Sequence, residues 1–357
     1  MVRRRGVAEL ARAATLKTVL ALPGAVRRRL TSPQVQQGQW LANDVRLMLR
    51  LAALAGEPQL GDLDIEGTRV ALDQQTAAAG GRRRVASVRD LLLGANEGEG
   101  AGGPGALRGR LYVPRSRLLE QRAPLLLFFH GGGFVSGDVE SHDGPCRFLA
   151  EEAGVRVLSV EYRMGPEHRF PAAHDDAWTA YRWVVEHPDL VGADLDRLAV
   201  GGDSAGANLA AHVARQAAAE GLPLAFQLLA YPITDATRTG GSRDEYAEGF
   251  LLTGRFIDQV TEAYTPDPAT RTDPRISPLL AEDVPAGLAP AHVATAGWDP
   301  LRDEGEDYGF VLQRAGVRTE VRRHPSQIHG FLNLVGVAPT ARLATRELTS
   351  ALRAAIG

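Results

Sequence analysis

From about residue 107 onwards, short apolar runs alternate with segments of helical periodicity, and this alternation constrains the fold more than any other feature of the chain. The apolar runs are LRGRLYVP, LLLFFH, VRVLSVEYR, RLAVGGD, FQLLAYP and AHVATAG, and a more polar run, TEVRRHP, follows at Thr319–Pro325. Amphipathic patterns such as DDAWTAYRWVVEHP fill the gaps. Apolar strands that alternate with helices predict an α/β fold with a mostly parallel sheet covered on both faces. In such a sheet, functional residues lie at the carboxyl ends of the strands.

A serine in a glycine-flanked turn follows one of these strands. The segment Gly202–Gly206, GDSAG, fits the motif G-x-S-x-G between an apolar run and a helical pattern. Such a sharp turn forces Ser204 to a positive φ and exposes its Oγ, and side chains at Gly202 and Gly206 would collide. The alternative, a phosphate-binding turn, is less favoured because neither G-x-G-x-x-G spacing nor a following Lys-Ser/Thr is present. The motif predicts a nucleophile, Ser204.

A glycine-rich loop, HGGGF at His130–Phe134, ends the LLLFFH strand. Consecutive glycines leave backbone N–H groups open to an approaching oxygen. The amides of Gly132 and Gly133, with that of Ala205 after the serine, are therefore the predicted oxyanion donors. We expect His130 to brace the loop rather than to transfer protons.

The acid and base are expected after the serine in the order Asp or Glu, then His. Asp299 follows the AHVATAG strand, and only His324 and His329 lie beyond that strand. His329 falls in IHGF after the last strand, whereas His324 falls within the strand pattern and is predicted to be a surface residue. We therefore select Ser204, Asp299 and His329. The next helix carries further acids, predicted to be N-terminal charges or a solvated face: Asp303, Glu304, Glu306 and Asp307.

Two regions outside the alternation are predicted to cover the site. Residues 1–85 predict mainly helices, and the long segment at about 233–274, rich in turn formers, is typical of a lid or pocket wall. Apolar residues in these regions would line an acyl or alcohol pocket or form the core of the cap: Trp40, Leu41, Leu47, Phe250 and Leu251. The glycine-rich segment Gly94–Gly105 predicts a surface loop.

The N-terminus begins with arginines, but Glu9, Arg12 and Lys17 interrupt the apolar stretch that a signal peptide would need. The favoured interpretation is a cationic amphipathic helix that is either a solvated arm or packed on its own domain. The alternative is contact with an anionic membrane surface or a hydrophobic substrate interface. No stretch reaches the length of a transmembrane helix. We expect a cytoplasmic protein.

Charge and cysteine content exclude several classes of function. With 40 Lys and Arg against 43 Asp and Glu, the net charge of −3 gives no reason to expect nucleic acid as a partner. Cys146 is the only cysteine, which excludes an intramolecular disulfide and a cysteine metal cluster, and the histidines lack H-E-x-x-H spacing. We expect no metal and no cofactor. The sequence leaves the oligomeric state open, a dimer included.

Six motifs in a fixed order make the chain resemble the hormone-sensitive-lipase-like α/β-hydrolases, also called bacterial family IV esterases. They are HGGGF, YRMGPEHRFPAA (Tyr162–Ala173), GDSAG, Tyr231-Pro232, DPLRDE and HGF. The resemblance covers about residues 107–357. It implies an α/β-hydrolase fold with an eight-stranded, mostly parallel sheet and a helical cap built from the N-terminus and an insertion after the sixth strand. It also implies Ser204, Asp299 and His329 as the catalytic residues and short-to-medium acyl esters as substrates.

We therefore expect an N-terminal helical cap region at 1–85 and a catalytic domain at 86–357 that carries a cap insertion at about 233–274. Two functions fit these expectations. The first is a serine carboxylic-ester hydrolase that acts on a small-molecule ester through an acyl-enzyme. The second is a non-catalytic, receptor-like ligand-binding protein on the same scaffold. Three triad residues together with an oxyanion loop favour the enzyme, because a receptor has no need of them.

Overall fold

The computed structural model describes residues 7–20, 22–94 and 106–357, with side chains from residue 14 onwards. The arginine patch at the start of the chain and nearly all of the predicted loop at Gly94–Gly105 lie outside the described residues. Within the described part, no helix is long and apolar enough to cross a membrane.

A twisted sheet of eight strands forms the centre of the molecule. A separate two-stranded antiparallel hairpin precedes it, with β1 at Val35–Gln36 and β2 at Gln39–Trp40. The sheet strands are β3 Ser87–Leu93, β4 Leu107–Val113, β5 Ala123–Phe129, β6 Arg156–Glu161, β7 Ala193–Asp203, β8 Phe226–Ala230, β9 Ala291–Trp298 and β10 Thr319–Ile328. Their order is β10-β9-β8-β7-β5-β6-β4-β3, and only β4 pairs antiparallel, with both of its neighbours. The predicted mostly parallel sheet is confirmed.

Helices cover both faces of the sheet. They are α1 Val7–Leu20, α2 Gly24–Leu30, α3 Asn43–Leu54, α4 Ile65–Ala79, α5 Asp143–Ala153, α6 Ala172–Glu186, α7 Pro188–Val191, α8 Ala205–Glu220, α9 Ser242–Glu245, α10 Gly254–Tyr264, α11 Arg302–Arg314 and α12 Pro339–Ile356. One apolar core lies under α5 and α12, and the other lies under α6, α8 and α11. The strands β5, β8 and β9 are buried along their whole length because helices cover both faces of the sheet there.

Strand pairing brings the ends of distant segments together. Phe129 at the end of β5 pairs with Gly202 of β7, so the HGGGF loop starts beside the turn that carries the serine. Trp298 of β9 pairs with Ile328 of β10, and the residues that follow them therefore leave the sheet side by side. Strand register thus gathers four separate motifs at the carboxyl ends of the parallel strands.

The N-terminal helices and the segment after β8 meet above this edge. Helix α1 packs on α3 and α4. The amide of Gln259 in α10 donates to the carbonyl of Leu63 at 2.9 Å, and the hydroxyl of Thr253 donates to the carbonyl of Leu60. The buried carboxylate of Asp44 in α3 accepts two hydrogen bonds from Thr340 at the start of α12, at 2.7 and 2.8 Å. The two regions predicted to form the cap therefore contact each other, and the N-terminal region also contacts α12.

Candidate active site

Ser204 occupies a strained turn between β7 and α8. Its φ is 55° and its ψ is −121°, a conformation that costs free energy for a residue with a Cβ. A Cβ on Gly202 would lie 2.4 Å from the carbonyl carbon of Gly206. A Cβ on Gly206 would lie 1.9 Å from the carbonyl oxygen of Phe129 in β5. Both glycines are therefore required, one by the turn and the other by the neighbouring strand.

The structure brings Ser204, His329 and Asp299 into one hydrogen-bonded row. Nε2 of His329 lies 3.0 Å from Oγ of Ser204, and Nδ1 of His329 lies 2.8 Å from Oδ2 of Asp299. The other carboxylate oxygen of Asp299 accepts a hydrogen bond from the amide of Leu301 at 2.8 Å. All three side chains are buried. The carboxylate requires a proton on Nδ1, so Nε2 is the basic nitrogen that faces the serine hydroxyl.

His324, the other candidate histidine, is not part of this hydrogen-bonded row. It is buried within β10 and packs edge-on against Phe331, with ring centroids 5.2 Å apart. Burial lowers its pKa to about 4. The prediction of a surface position is wrong. Strand β10 continues to Ile328, three residues past Pro325, and Phe331, which follows the strand, packs against the His324 ring.

Two of the acids on α11 are also more buried than expected. Glu304 is fully buried, pairs with Arg243 at 2.8 Å and accepts a hydrogen bond from the amide of Thr234 at 2.9 Å. Burial raises the pKa of Glu304. Glu306 pairs with Arg323 in β10. The prediction of a solvated face is wrong for these two residues, because they hold the segment after β8 and the strand β10 against α11.

The glycine loop His130–Phe134, the predicted oxyanion loop, lies directly beside the turn that carries Ser204. The amide of Gly131 donates to Oδ1 of Asp203 at 2.9 Å, which fixes the start of the loop. Gly132 and Gly133 follow at φ 122° and 64°, and a Cβ on Gly132 would lie 2.0 Å from the carbonyl oxygen of Ser136. Ala205 is the first residue of α8, so its amide has no acceptor within the helix. The three predicted donor residues thus surround the serine turn.

Sequence reasoning missed a polar cluster behind this loop. Nε2 of His142 lies 3.2 Å from Oδ1 of Asp203 and 3.3 Å from the side-chain amide of Asn333. Burial alone would raise the pKa of Asp203, but His142 and the amide of Gly131 hold it below its ordinary value. The position of Asp203 beside the serine was a signal for a role in the site. Nothing in the sequence linked His142 or Asn333 to it.

His130 lies beneath the loop. Its Nδ1–H donates to the carbonyl of Gly131 at 2.9 Å, and its ring stacks on Tyr162 with centroids 4.3 Å apart. Burial, with a contribution from His142, lowers the pKa of His130 to about 4. A neutral, stacked imidazole that hydrogen-bonds to the loop supports the shape of the loop.

A cavity of about 920 Å³ opens onto Ser204 and His329. Its walls come from α1, α3, α4 and α10 as well as from the oxyanion loop. Of the five apolar residues considered for this pocket, only Leu251 lines it. Trp40 is 61% exposed, and the other three are buried in the core: Leu41, Leu47 and Phe250. These three buried side chains thus fit the alternative expectation, that such residues form the core of the cap.

Among the described residues, no three His, Cys, Asp or Glu side chains are grouped so that they could hold a metal ion. Of the lysine and arginine residues in the described part of the chain, only Arg243 lines the cavity, and its charge is paired with Glu304. The cavity therefore suits an uncharged, largely apolar ligand.

The fold and this arrangement of serine, histidine and aspartate beside a glycine loop define an α/β hydrolase. The family described as alpha/beta hydrolase fold matches residues 126–333, more than half of the chain. The chain belongs to this family, in its hormone-sensitive-lipase-like branch, as its motifs predicted.

Known relatives agree with this assignment. The chain is 40% identical to a carboxylic ester hydrolase, LipN, of Mycobacterium tuberculosis over 95% of this chain and 90% of that protein. It is 44% identical to an esterase, LipI, of the same organism over 71% and 79% of the two chains. An α/β hydrolase enzyme from the metagenome of Lake Arreo superposes with a TM-score of 0.81 at 40% identity, over 89% of this chain and 99% of that one. The prediction of an enzyme of the carboxylic-ester-hydrolase class is confirmed.

Proposed function

We propose that the protein hydrolyses small-molecule carboxylic esters by nucleophilic catalysis, with Ser204 as the nucleophile, His329 as the general base and Asp299 as its orienting partner. The observation that carries the proposal is the continuous row of hydrogen bonds from Ser204 Oγ through His329 to Asp299, at 3.0 and 2.8 Å. Nucleophile and base within hydrogen-bond reach, with the base held by a third group, is the arrangement that this chemistry requires.

The reaction runs in two halves. In the first, Nε2 of His329 takes the hydroxyl proton while Oγ of Ser204 attacks the ester carbonyl carbon. The oxyanion that forms is stabilised by the amides of Gly132, Gly133 and Ala205. The histidine then returns the proton to the leaving alkoxide, and the alcohol departs from the acyl-enzyme.

In the second half, water attacks the acyl carbon and gives its proton to His329. Collapse of the second tetrahedral intermediate breaks the bond to Ser204 Oγ, which takes the proton back. The acid product leaves and the free enzyme is restored. Asp299 keeps its charge throughout and stabilises the imidazolium, so no step needs a metal or a cofactor.

Acyl groups of short to medium length are the proposed substrates. A relative of Pseudomonas putida that is 40% identical over 256 residues is named an ethyl acetate hydrolase, which supports the short end of this range. The cavity of about 920 Å³ supports the longer end, because each methylene buried against apolar walls adds about 0.8 kcal/mol while there is room for it. Residues 1–85 and about 233–274 are the proposed cap over a catalytic domain at 86–357.

Steady-state kinetics of Ser204→Ala on p-nitrophenyl butyrate test the proposal. We expect a loss in kcat of about 10⁴–10⁶-fold with the fold retained. Ser350→Ala, at an exposed serine on α12, is the matched control and should keep full activity. Turnover near that of the unmodified protein in Ser204→Ala would refute the mechanism.

A further inference from the structure

Arg69 of α4 reaches out of the proposed cap and contacts the loop that carries the oxyanion glycines. Its Nε donates to the carbonyl of Val135 at 2.7 Å, and one Nη donates to the carbonyl of Gly165 at 2.9 Å. The guanidinium also forms two hydrogen bonds with the carboxylate of Glu167, at 2.7 and 2.8 Å. All three nitrogens are therefore used, and the planar fork holds the side chain in one orientation.

The two carbonyls belong to loops that are already joined to each other. The amide of Gly165 donates to the carbonyl of Phe134 at 2.9 Å. The amides of Val135 and Ser136 both donate back to the carbonyl of Gly132, at 3.2 and 3.0 Å. Val135 thus belongs to the same tight turn as the oxyanion glycine Gly132, so a force on its carbonyl acts on that turn.

This turn depends on support from outside. Gly132, Gly133 and Phe134 have φ values of 122°, 64° and 61°, and Phe134 carries a side chain in the left-handed region. Strained backbone of this kind persists only where surrounding contacts hold it in place. Behind the loop, the carboxylate of Asp203 gives this support by accepting a hydrogen bond from the amide of Gly131. On the cap side, Arg69 holds the carbonyl of Val135, and Val260 of α10 packs against Gly133.

Glu167 keeps the arginine in position. Arg69 is only about a quarter exposed, and its hydrogen bonds lower the pKa of the Glu167 carboxyl to about 2, so the pair stays charged over the working pH range. A charged pair that also binds two neutral carbonyls ties α4 to two loops of the domain below. If α4 lifted away, these contacts would break together.

We propose that Arg69 is a positioning residue that couples the docking of α4 to the geometry of the oxyanion loop. The inference rests on the proposed function, because it assigns the amides of Gly132 and Gly133 to the developing oxyanion. A displacement of about 1 Å in such donors is enough to cost on the order of 10²-fold in rate. The coupling acts on the chemical step and leaves binding of the ester in the cavity largely unchanged.

Kinetics of Arg69→Met and Arg69→Lys test the proposal on the full chain. Methionine keeps part of the apolar stem and loses every donor, so kcat should fall about 10–100-fold while KM changes less than about threefold. Lysine keeps the charge but lacks the fork, and an intermediate loss in kcat is expected. The matched control is Arg255→Met, because Arg255 of α10 pairs with Asp62 at 2.7 Å on the cap and does not hold the oxyanion loop. Its kcat should stay within about twofold.

Three outcomes would overturn the coupling: an unchanged kcat in Arg69→Met, a loss confined to KM, or an equal loss of kcat in Arg255→Met. If Arg69→Met does not fold, Arg69→Lys decides, and a kcat equal to that of the unmodified protein contradicts the proposal. Ser204→Ala separates this test from that of the proposed function. If Ser204→Ala is inactive and Arg69→Met is fully active, only the coupling fails; if Ser204→Ala stays active, the proposed function itself fails.

Discussion

Asp203, the residue before the proposed nucleophile, holds the amide of Gly131 at 2.9 Å and so joins the serine turn to the oxyanion loop. The same oxygen lies 3.2 Å from Nε2 of His142. One buried carboxylate therefore fixes two elements of the site that come from different strands.

Asp203→Ala should lower kcat about 10²-fold with a smaller effect on KM, because the loop loses its anchor and the oxyanion amides move. Asp203→Asn keeps an oxygen that accepts from Gly131 and should lose about tenfold. Steady-state kinetics on p-nitrophenyl butyrate measure both. A kcat for Asp203→Ala within threefold of the unmodified protein would contradict this role.

His329→Ala should cost about 10³-fold or more in kcat, because the serine loses its base. His324→Ala should change kcat less than tenfold. It should instead lower the free energy of unfolding by about 1–3 kcal/mol, because the imidazole of His324 is buried against Phe331. Kinetics and urea unfolding of the two variants separate these effects, and the reverse ranking of the kcat losses would show that the base is misassigned.

We expect His174 to make the stability of the fold depend on pH. The side-chain amide nitrogen of Asn208 donates to the carbonyls of Ile233 and Ile276, so its oxygen accepts from Nε2–H of His174 at 2.9 Å. Nδ1 of His174 then accepts from the hydroxyl of Tyr264 at 3.0 Å. This network needs a neutral imidazole, and burial lowers the pKa of His174 to about 4.

The unfolded chain binds a proton on this histidine below pH 6.5, whereas the folded chain does so only below about pH 4. The contribution of His174 to the free energy of unfolding should therefore be full above pH 6.5, fall as the pH drops towards 4, and level off below that. The total loss due to this one group should be about 3 kcal/mol. His174→Gln keeps a donor and an acceptor without a charge. Urea unfolding at pH 7 and pH 5 should show a smaller loss in His174→Gln, and an equal loss would exclude the linkage.

Helix α1 supplies Thr15, Leu16 and Val19 to the wall of the cavity. Leu16→Trp should fill part of that space and lower kcat/KM for a decanoate ester relative to an acetate ester by at least about fivefold. Lys17→Trp, on the exposed side of the same helix, should leave the ratio unchanged. If α1 instead served as a membrane arm, Leu16→Trp would leave the ratio unchanged and deletion of residues 1–35 would abolish binding to anionic vesicles.

Local sequence patterns carried most of the fold and the choice of site residues. Six apolar runs and one more polar run predicted seven of the eight sheet strands, and all of these strands except β10 are buried along most of their length. The residues of β3, SVRDLLL, gave no such signal, because this edge strand is half exposed. The hairpin at Val35–Trp40 is two residues per strand, which is too short for a periodic pattern.

Contacts between segments far apart in the chain could not be predicted from the sequence. Nothing near Arg69 indicated that it would bind Val135, 66 positions away. The burial of Glu304 depends on Arg243 and on the amide of Thr234. Strand spacing placed candidate residues at one edge of the sheet, but only the folded chain determines which of them meet.

The proposed acyl-enzyme requires that Ser204 alone become covalently modified. Incubation of the protein with a fluorophosphonate in the presence of EDTA, followed by peptide mass spectrometry, measures this directly. We expect one phosphonyl group per chain, on the peptide that contains Ser204, and loss of esterase activity in proportion to labelling. Full activity after complete labelling, or labelling at a different serine, would contradict it.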